Sequence, residues 1–264
     1  MKIVVCFKIL PDYEEISPEE WSLPEEPDVR FVKKNFGCFD EAALETGLCL
    51  KDSCLAVGEP VQITAVSTDE AAGAASLGLL RNLYAAGYDK VVLLPPTGRW
   101  NPAATAAVLA EYLAKEKADL ILCGAVSGPG DSGAVPFYLG QLLKLPVLTE
   151  IRAAFREAGS DRILIRRRAG DFSELRVLNG PAICTVGDAE QAFLRLFSIR
   201  ARLEAGRKEI IREDGLCTGA ESRREEAVIL RPIPQEASHC VFPELKTVPE
   251  KAAWLQNALR EAAR

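Results

Sequence analysis

The chain has 264 residues, of which 48% are hydrophobic and 27% are charged, and it carries a net charge of −6. This length suits one large α/β domain or a domain with an appendage, and the apolar share is ample for a sizeable core. The acidic balance argues against a nucleic-acid partner, because a surface that follows phosphates is normally basic. No stretch reaches the roughly 18 to 20 apolar residues that a membrane-spanning helix needs. We therefore expect no nucleic-acid binding and no membrane insertion.

The cysteines and the N-terminus indicate the compartment. Eight cysteines are present without any CxxC pair, and several fall in apolar segments, which favours small buried hydrophobes over metal ligands or disulfides. They are Cys6, Cys38, Cys49, Cys54, Cys123, Cys184, Cys217 and Cys240. The first residues lead directly into an apolar run, so no signal peptide is predicted. These features predict a cytoplasmic, reduced protein without a metal site.

Apolar runs alternate with segments of helical periodicity through the first 150 residues. Predicted strands cover residues 2–9, 61–66, 90–94, 118–123 and 146–148, and predicted helices cover residues 40–50, 70–86, 102–115 and 135–143. Strands that alternate with helices in this way predict a five-stranded, mainly parallel sheet with helices on both faces. The fold class is therefore α/β and Rossmann-like.

The pattern changes after residue 149. Strand-like segments at residues 151–155, 162–168, 174–178 and 182–186 are separated by turn signals, which predicts an antiparallel edge or an added hairpin. Residues 188–203 are predicted to be helical, and a last helix is predicted at residues 250–263. We expect one α/β domain over residues 1–206, followed by a C-terminal arm and helix, residues 207–264, that pack on a partner subunit.

A glycine-rich turn follows the predicted strand at residues 118–123. Its glycines, which let the backbone turn sharply and approach a ligand, are Gly124, Gly128, Gly130 and Gly133. Asp131 and Ser132 are placed to cap the following helix. A strand, a turn and a helix N-terminus together offer unpaired N–H groups and a positive dipole end to a phosphate. A connector without a ligand is an equally open interpretation of such a turn.

Residues 128–133 also spell GxGxxG, and Glu150 follows at about the distance of a ribose-binding acid, roughly 20 residues, in dinucleotide-binding folds. That fingerprint belongs to a first βα unit, whereas this turn follows the fourth predicted strand, and Pro129 stiffens its centre. An NAD-binding protein therefore remains an alternative interpretation of the sequence.

Candidate catalytic residues are few. The one histidine, His239, lies in the predicted arm, which excludes a Ser-His-Asp triad or a His-ligated metal in the main domain. Neither Cys6 nor Cys123 has an obvious base nearby in the sequence. We expect no catalytic residues of the chain's own. A carrier or binding subunit is therefore favoured over a self-sufficient enzyme.

A series of motifs resembles the β subunit of electron transfer flavoproteins. Residues 2–12, KIVVCFKILPD, are similar to that family's CVKxVPD-like strand, and residues 35–45, NFGCFDEAALE, to its NPxDExAxE-like helix start. Residues 63–67, 86–90 and 118–124 match further segments, and residues 130–136 resemble the family's GDTxQV-like nucleotide loop. Residues 167–185 resemble its hairpin signature. The likeness extends in order over residues 1–186 and weakly to residue 210.

The resemblance implies a heterodimer with a larger α subunit, which carries electrons from a dehydrogenase to a membrane-bound acceptor or a second flavin. In that family the β subunit holds AMP in simple carriers and FAD in electron-bifurcating ones. By position, the nucleotide site would comprise Phe7, Lys8, Ile9, Asn35, Phe39, Asp40, Ala65, Val66, Ser67, Gly124, Gly130, Asp131, Ser132, Gly133, Ala134 and Val135. Ala65 and Val66 would pack on adenine, and residues 132–134 would contact phosphate.

The chain departs from the family pattern at three places. The helix-start loop has Phe36-Gly37-Cys38 and no proline, and Ala134 stands where the nucleotide loop usually has glutamine. The usual proline–arginine pair and lysine-rich loop, the family's docking site for dehydrogenases, are represented only by Leu194-Arg195 and residues 201–208. A nucleotide-sensing domain of the universal-stress type is a further alternative, against which the long hairpin and arm argue.

Overall fold

The fold is described by a computed structural model for residues 1–21, 28–68, 76–97, 101–128, 131–160, 162–216 and 243–262. The chain divides into two compact units, residues 1–222 and 223–264. In the first unit the strands are β1 (Lys2–Cys6), β2 (Ile9–Pro11), β3 (Lys34–Phe36), β4 (Gln62–Ser67), β5 (Lys90–Leu93), β6 (Leu120–Gly124), β7 (Val147–Arg156), β8 (Ile163–Ala169), β9 (Phe172–Val177), β10 (Ala182–Val186) and β11 (Ile211–Arg212).

The helices of the first unit are α1 (Pro18–Trp21), α2 (Cys38–Ala56), α3 (Leu77–Ala86), α4 (Pro102–Glu116), α5 (Val135–Leu143) and α6 (Ile199–Ala205), with a 3-10 turn at Tyr13–Glu15. The second unit contains α7 (Val248–Ala262). Within these described ranges, no helix combines the length and the apolar character needed to cross a membrane.

One sheet of nine strands, in the order β11-β5-β4-β1-β6-β10-β7-β8-β9, forms the centre of the first unit. Neighbouring strands pair in parallel from β11 to β7, and β7, β8 and β9 pair antiparallel. Strands β2 and β3 form a separate antiparallel pair. The predicted α/β fold, with a mainly parallel sheet and an antiparallel hairpin, is confirmed. The predicted number of five strands is wrong, because β10 and β11 also join the parallel part of the sheet and β8 and β9 extend it.

Both faces of the parallel part of the sheet are covered, which explains the apolar runs of strands such as β1, β6 and β10. Ile3 and Val5 of β1 belong to an apolar cluster that includes residues of α2 and α3, here called the α2–α3 cluster. Val4 and Cys6 belong to a second cluster that includes residues of α4 and α5, the α4–α5 cluster. Successive side chains of a strand point to opposite faces, so β1 contributes to both clusters in turn.

Several predicted elements are placed differently in the structure. The predicted strand at residues 2–9 is two strands, because Ile9–Pro11 turns away to pair with β3. The predicted strands at residues 146–148 and 151–155 are the single strand β7, whose register with β10 shifts between Leu148 and Ile151, where Glu150 has a φ of 59°. Strand β10 lies inside the parallel sheet between β6 and β7, and not in an antiparallel edge, because its five residues are all buried.

The helix predictions were partly wrong as well. A helix was predicted at residues 188–203, but helix α6 begins only at Ile199 and ends at Ala205. The preceding segment is not helical, because the side chains of Glu41 and Glu45 accept the backbone N–H groups of Leu194 and Arg195. Helix α2 is longer than the predicted residues 40–50. The described residues do not include residues 70–75 of the helix that was predicted at residues 70–86. They also do not include residue 263 of the predicted last helix.

Helix α2 lies close to the sheet at Gly47. A Cβ atom at this position would lie 3.0 Å from Ile63 Cδ1, 3.0 Å from Val5 Cγ2 and 3.4 Å from Leu122 Cδ1. A Gly47→Leu variant should therefore unfold at a lower urea concentration, by about 1–3 kcal/mol of unfolding free energy, as for other overpacked cores. Gly78→Leu on α3 is the matched control, because no atom of the described ranges lies within 4 Å of a Cβ there. Equal stability of the two variants would contradict this packing.

Candidate functional site

The sheet reverses its direction of growth at β1, which lies between β4 and β6. From β1 the chain adds β4 and then β5 on one side, and it returns to add β6 on the other side. Open α/β sheets bind their ligands outside the carboxyl ends of the strands at such a switch point. The ends of β1 at Cys6 and of β6 at Gly124 mark this place.

A cavity of about 680 Å³ lies at the switch point, within the range of roughly 300–1,000 Å³ that is usual for small-molecule sites. Its walls come from the loop after β1 with the 3-10 turn, the end of β4, the start of α4, and the loop that joins β6 to α5. Most of the predicted site residues line it: Phe7, Lys8, Ile9, Asp40, Val66, Ser67, Gly124, Ser132, Gly133, Ala134 and Val135.

Other predicted site residues do not line the cavity. Asn35 donates its side-chain N–H to Asp12 Oδ2 at 2.9 Å, within the β2–β3 pair. Ala65 is fully buried in the α2–α3 cluster, because its side chain points to the opposite face of β4 from Val66. Phe39 and Asp131 also lie outside the cavity walls. Gly130 lies outside the described residues.

Asp40 holds the end of the sheet to the start of α2. Its carboxylate Oδ2 accepts hydrogen bonds from the Lys8 backbone N–H and from the Ser127 hydroxyl, both at 3.2 Å. Burial raises the pKa of Asp40 from 3.8 to about 7, although bonds from Ser127, Lys8 and the Gly124 backbone oppose the shift. A Cβ atom at Gly124 would lie 2.6 Å from Asp40 Oδ1. Glycine at this position therefore lets the helix meet the strand.

Ser67 offers an unused hydrogen-bonding group at the cavity wall. The side chain is 2% exposed, and its hydroxyl has no hydrogen-bond partner among the residues that the structure describes. Leaving a buried hydroxyl unpaired costs on the order of 1–3 kcal/mol, and a polar ligand group in the cavity would remove that cost. The neighbouring wall is polar too, because it contains the hydroxyls of Thr97 and Thr105, which hydrogen-bond to each other at 2.8 Å.

Two helices begin at the cavity. Asn101 caps α4 by accepting the Ala104 N–H at 2.9 Å, and Ala134 and Val135 form the start of α5. Helix N-termini present free N–H groups and a positive dipole end, which favour an anion. Lys8 and Lys34, which also line the cavity, add positive charge. The walls therefore combine apolar surface with groups that favour a phosphate.

The predicted capping of α5 by Asp131 is wrong. The N-cap residue is Ala134, which has no side-chain cap bond, and Asp131 is exposed with a φ of 36°. Ser132 Oγ accepts the Ala134 N–H at 3.4 Å, inside the turn that precedes the helix. The NAD-binding interpretation finds no support at Glu150, which lies on β7, pairs with Arg168 at 3.2 Å and does not line the cavity.

Sequence reasoning missed polar residues of the cavity wall. They are Thr68, Thr97, Asn101, Thr105 and Ser127, together with Tyr13 and Lys34. One signal was available: Asn101 directly precedes Pro102, a common pair of N-cap and first helical residue. Because the starts of helices that follow parallel strands share one edge of the sheet, this pair marks a second wall of the site. Nothing in the sequence pointed to Lys34, because it lies on β3, which pairs with β2 outside the main sheet.

The fold is that of an α/β protein with a cavity at the carboxyl edge of its parallel sheet. A family model described as an electron transfer flavoprotein domain matches residues 32–214. YgcR of Escherichia coli K12, assigned as an electron transfer flavoprotein subunit, is 29% identical over 220 residues that cover 81% of both chains.

Two proteins named electron transfer flavoprotein subunit beta are similar over comparable lengths. The Megasphaera elsdenii protein is 29% identical over 84% of this chain and 81% of its own. The Clostridium acetobutylicum protein is 29% identical over 70% of this chain and 68% of its own. The chain belongs to the electron transfer flavoprotein family, as the resemblance in its β-subunit motifs predicted.

Proposed function

We propose that this chain is the β subunit of a heterodimeric electron transfer flavoprotein and that its cavity holds the AMP moiety common to AMP and FAD. The observation that carries the proposal is the cavity at the switch point, with helix starts on two sides and with the buried Ser67 hydroxyl, which lacks a partner within the described part of the chain. Bound FAD would supply reversible electron uptake there, whereas AMP would serve as a structural ligand.

The walls fit an adenosine phosphate. Val66 supplies apolar surface for an adenine ring, and the Ser67 hydroxyl is free to bond a polar atom of the ligand. Ser132, Gly133 and the start of α5 offer a hydroxyl and N–H groups to a phosphate, with Lys8 adding charge. In this proposal the residues of the chain bind and orient the nucleotide, and the subunit carries electrons without catalytic side chains of its own.

Isothermal titration calorimetry of the purified chain, after removal of any bound nucleotide, tests the site. We expect AMP and FAD to bind with one ligand per chain, because both present the same adenosine phosphate to the cavity. Binding of ATP alone by a homodimer would favour the nucleotide-sensing alternative, and binding of NAD with hydride exchange would favour the NAD-binding one.

The cytoplasmic location stays a prediction from the sequence.

Exposed apolar side chains support contacts with other chains. In the second unit, α7 exposes Val248, Leu255 and Leu259 to solvent, as an amphipathic helix does before it meets a partner. We propose that the C-terminal helix α7 of the predicted arm packs on the α subunit. The first residues of the predicted arm, residues 207–264, belong to the first unit, because β11 pairs with β5 there and Leu216 is buried in the α4–α5 cluster.

The segment before α6 is the proposed contact for the dehydrogenase donor. Leu194 and Phe197 pack against the core, while Phe193 is 78% exposed and Leu196 is 99% exposed. Arg195 holds the segment to α2 through Glu45 at 2.8 Å and Asp52 at 2.6 Å. An irregular segment that is anchored in this way presents its apolar side chains in a fixed position.

A Leu196→Glu variant should raise the KM of the heterodimer for its donor dehydrogenase, because it places a charge at the centre of the proposed contact. Hot-spot residues of interfaces contribute about 2 kcal/mol or more, which corresponds to a KM increase of roughly 30-fold. Leu55→Glu is the matched control, since Leu55 is 50% exposed near the end of α2. Steady-state kinetics with varied donor measures the effect. An unchanged KM in Leu196→Glu would exclude this contact.

A further inference from the structure

Two cysteines from neighbouring strands lie side by side at the floor of the cavity. The parallel register of β1 and β6 pairs Cys6 directly with Cys123. Both side chains belong to the α4–α5 cluster, so they point to the same face of the sheet. Both also line the cavity, and they are 7% and 5% exposed. A reagent that enters the cavity therefore meets both thiols together.

The other described cysteines are placed differently. Cys184 of β10 and Cys54 of α2 are fully buried in the α2–α3 cluster and do not line the cavity. Cys49 lies against Glu45 and Arg195, and Cys38 is exposed at the start of α2. Among the residues that the structure describes, the cavity thus joins one pair of thiols, and the remaining cysteines provide internal controls.

We propose that Cys6 and Cys123 are an oxidisable dithiol that hydrogen peroxide converts into an internal disulfide, and that a nucleotide in the cavity shields it. The shielding rests on the proposed function, whereas the dithiol itself does not. Adjacent strands lie about 4.8 Å apart, and disulfides join residues whose Cα atoms are about 4.4–6.8 Å apart. The two strands therefore need no large movement to accept the bond.

The reaction balances with peroxide as the oxidant. One thiol, as its thiolate, attacks a peroxide oxygen and becomes a sulfenic acid, and the departing hydroxide takes up a proton to become water. The second thiol then attacks the sulfenic sulfur, forms the S–S bond and releases another water. Two thiols and one hydrogen peroxide thus become one disulfide and two waters. The two electrons come from the sulfur atoms.

The surroundings set the pace of this oxidation. The hydrogen bond with Cys6 and burial raise the pKa of Cys123 well above its usual range, and the charge of Asp40 and the nearby Cys184 act in the same direction. The thiolate is the reactive form of cysteine, so the oxidation should be slow at neutral pH and faster in alkaline buffer. A nucleotide that covers the floor would slow it further.

Peptide mapping by mass spectrometry of the peroxide-treated full chain tests the dithiol. After removal of bound nucleotide and alkylation of free thiols, we expect a linked pair of peptides that contain Cys6 and Cys123. Cys6→Ser and Cys123→Ser should each lose that link, and Cys184→Ser, the neighbouring buried cysteine outside the cavity, should keep it. Oxidation of the exposed Cys38 without any Cys6–Cys123 link in the wild-type chain would overturn the proposal.

The same mapping with saturating AMP separates the dithiol from the proposed function. We expect AMP to slow formation of the link at least tenfold and to leave alkylation of Cys38 unchanged. If the link forms equally fast with AMP, the shielding is overturned, and calorimetry then shows whether AMP fails to bind or binds without covering the floor. The dithiol is judged by the link itself, so its failure is distinct from failure of the nucleotide site.

Discussion

Replacing Gly133 by valine is expected to abolish the gain in melting temperature that AMP or FAD gives the wild-type chain. Gly133 has a φ of 56°, and a Cβ atom there would lie 2.8 Å from the Ala125 carbonyl oxygen and 3.4 Å from Val126 Cγ1. A β-branched residue is strongly disfavoured at positive φ, so the loop must rearrange. Because this loop forms a wall of the cavity, its rearrangement should displace the groups that hold the phosphate.

The size of the effect follows from linkage. A ligand at a hundredfold excess over its Kd stabilises the folded chain by about 2.7 kcal/mol, and a chain that cannot bind loses all of it. Thermal unfolding with and without nucleotide measures the difference, after circular dichroism has established that the variant is folded. Gly133→Val should then melt at the same temperature with and without AMP.

Two neighbouring substitutions serve as controls. Gly128→Ala places a Cβ atom at an ordinary distance, 3.6 Å from Asp131 Oδ1, and should keep the full ligand-induced gain. Asp131→Ala should keep most of it, because Asp131 is exposed and caps no helix. A full ligand-induced gain in Gly133→Val would mean that the turn is only a connector.

The second large expected effect is a pH dependence of the free energy of unfolding. Among the residues of the site, Asp40 should contribute most to it. Its pKa is about 7 in the folded chain and near 3.8 when water surrounds it. The folded state therefore binds a proton more tightly than the unfolded state, so this contribution to stability is complete below pH 4 and is lost as the pH rises to 7. One pKa unit corresponds to 1.36 kcal/mol, so the loss amounts to about 4 kcal/mol.

Urea unfolding of the wild-type chain and of Asp40→Asn from pH 5 to pH 8 measures this contribution. The amide cannot titrate, so the stability of the variant relative to wild type should increase across this range. A constant offset is also expected, because the amide N–H₂ faces backbone donors that the carboxylate accepts. Asp131→Asn, an exposed carboxyl in the adjacent loop, should keep the wild-type profile. Parallel profiles for wild type and Asp40→Asn would contradict the buried carboxyl.

Much of this fold could be predicted from local pattern. The apolar run at residues 120–123 and the helical period after it define β6 and α5, because burial on both faces of a sheet leaves few other choices. Strand β10 has the same kind of sequence, yet its place between β6 and β7 could not be predicted. That place depends on long-range pairing, which follows from the whole sheet and not from residues 182–186.

The segment before α6 illustrates a different limit. Its composition favours a helix, but Glu41 and Glu45 of α2 accept the N–H groups that a helix would need. Partners that lie about 150 residues away in sequence are invisible to a local pattern. The site was predictable where glycines and strand ends marked it, at Gly124 and Gly133. The free hydroxyl of Ser67 and the wall at Thr97 and Thr105 required the three-dimensional arrangement.

Native mass spectrometry of the complex purified under mild conditions tests the central claim most directly. We expect this chain to copurify with a larger second chain and to carry one noncovalent AMP or FAD, whose mass distinguishes the two nucleotides. Release of that nucleotide from this chain, and not from its partner, would assign it to the cavity at the β1–β6 switch point. A chain that purifies with its larger partner and a flavin but carries no nucleotide itself would contradict the account.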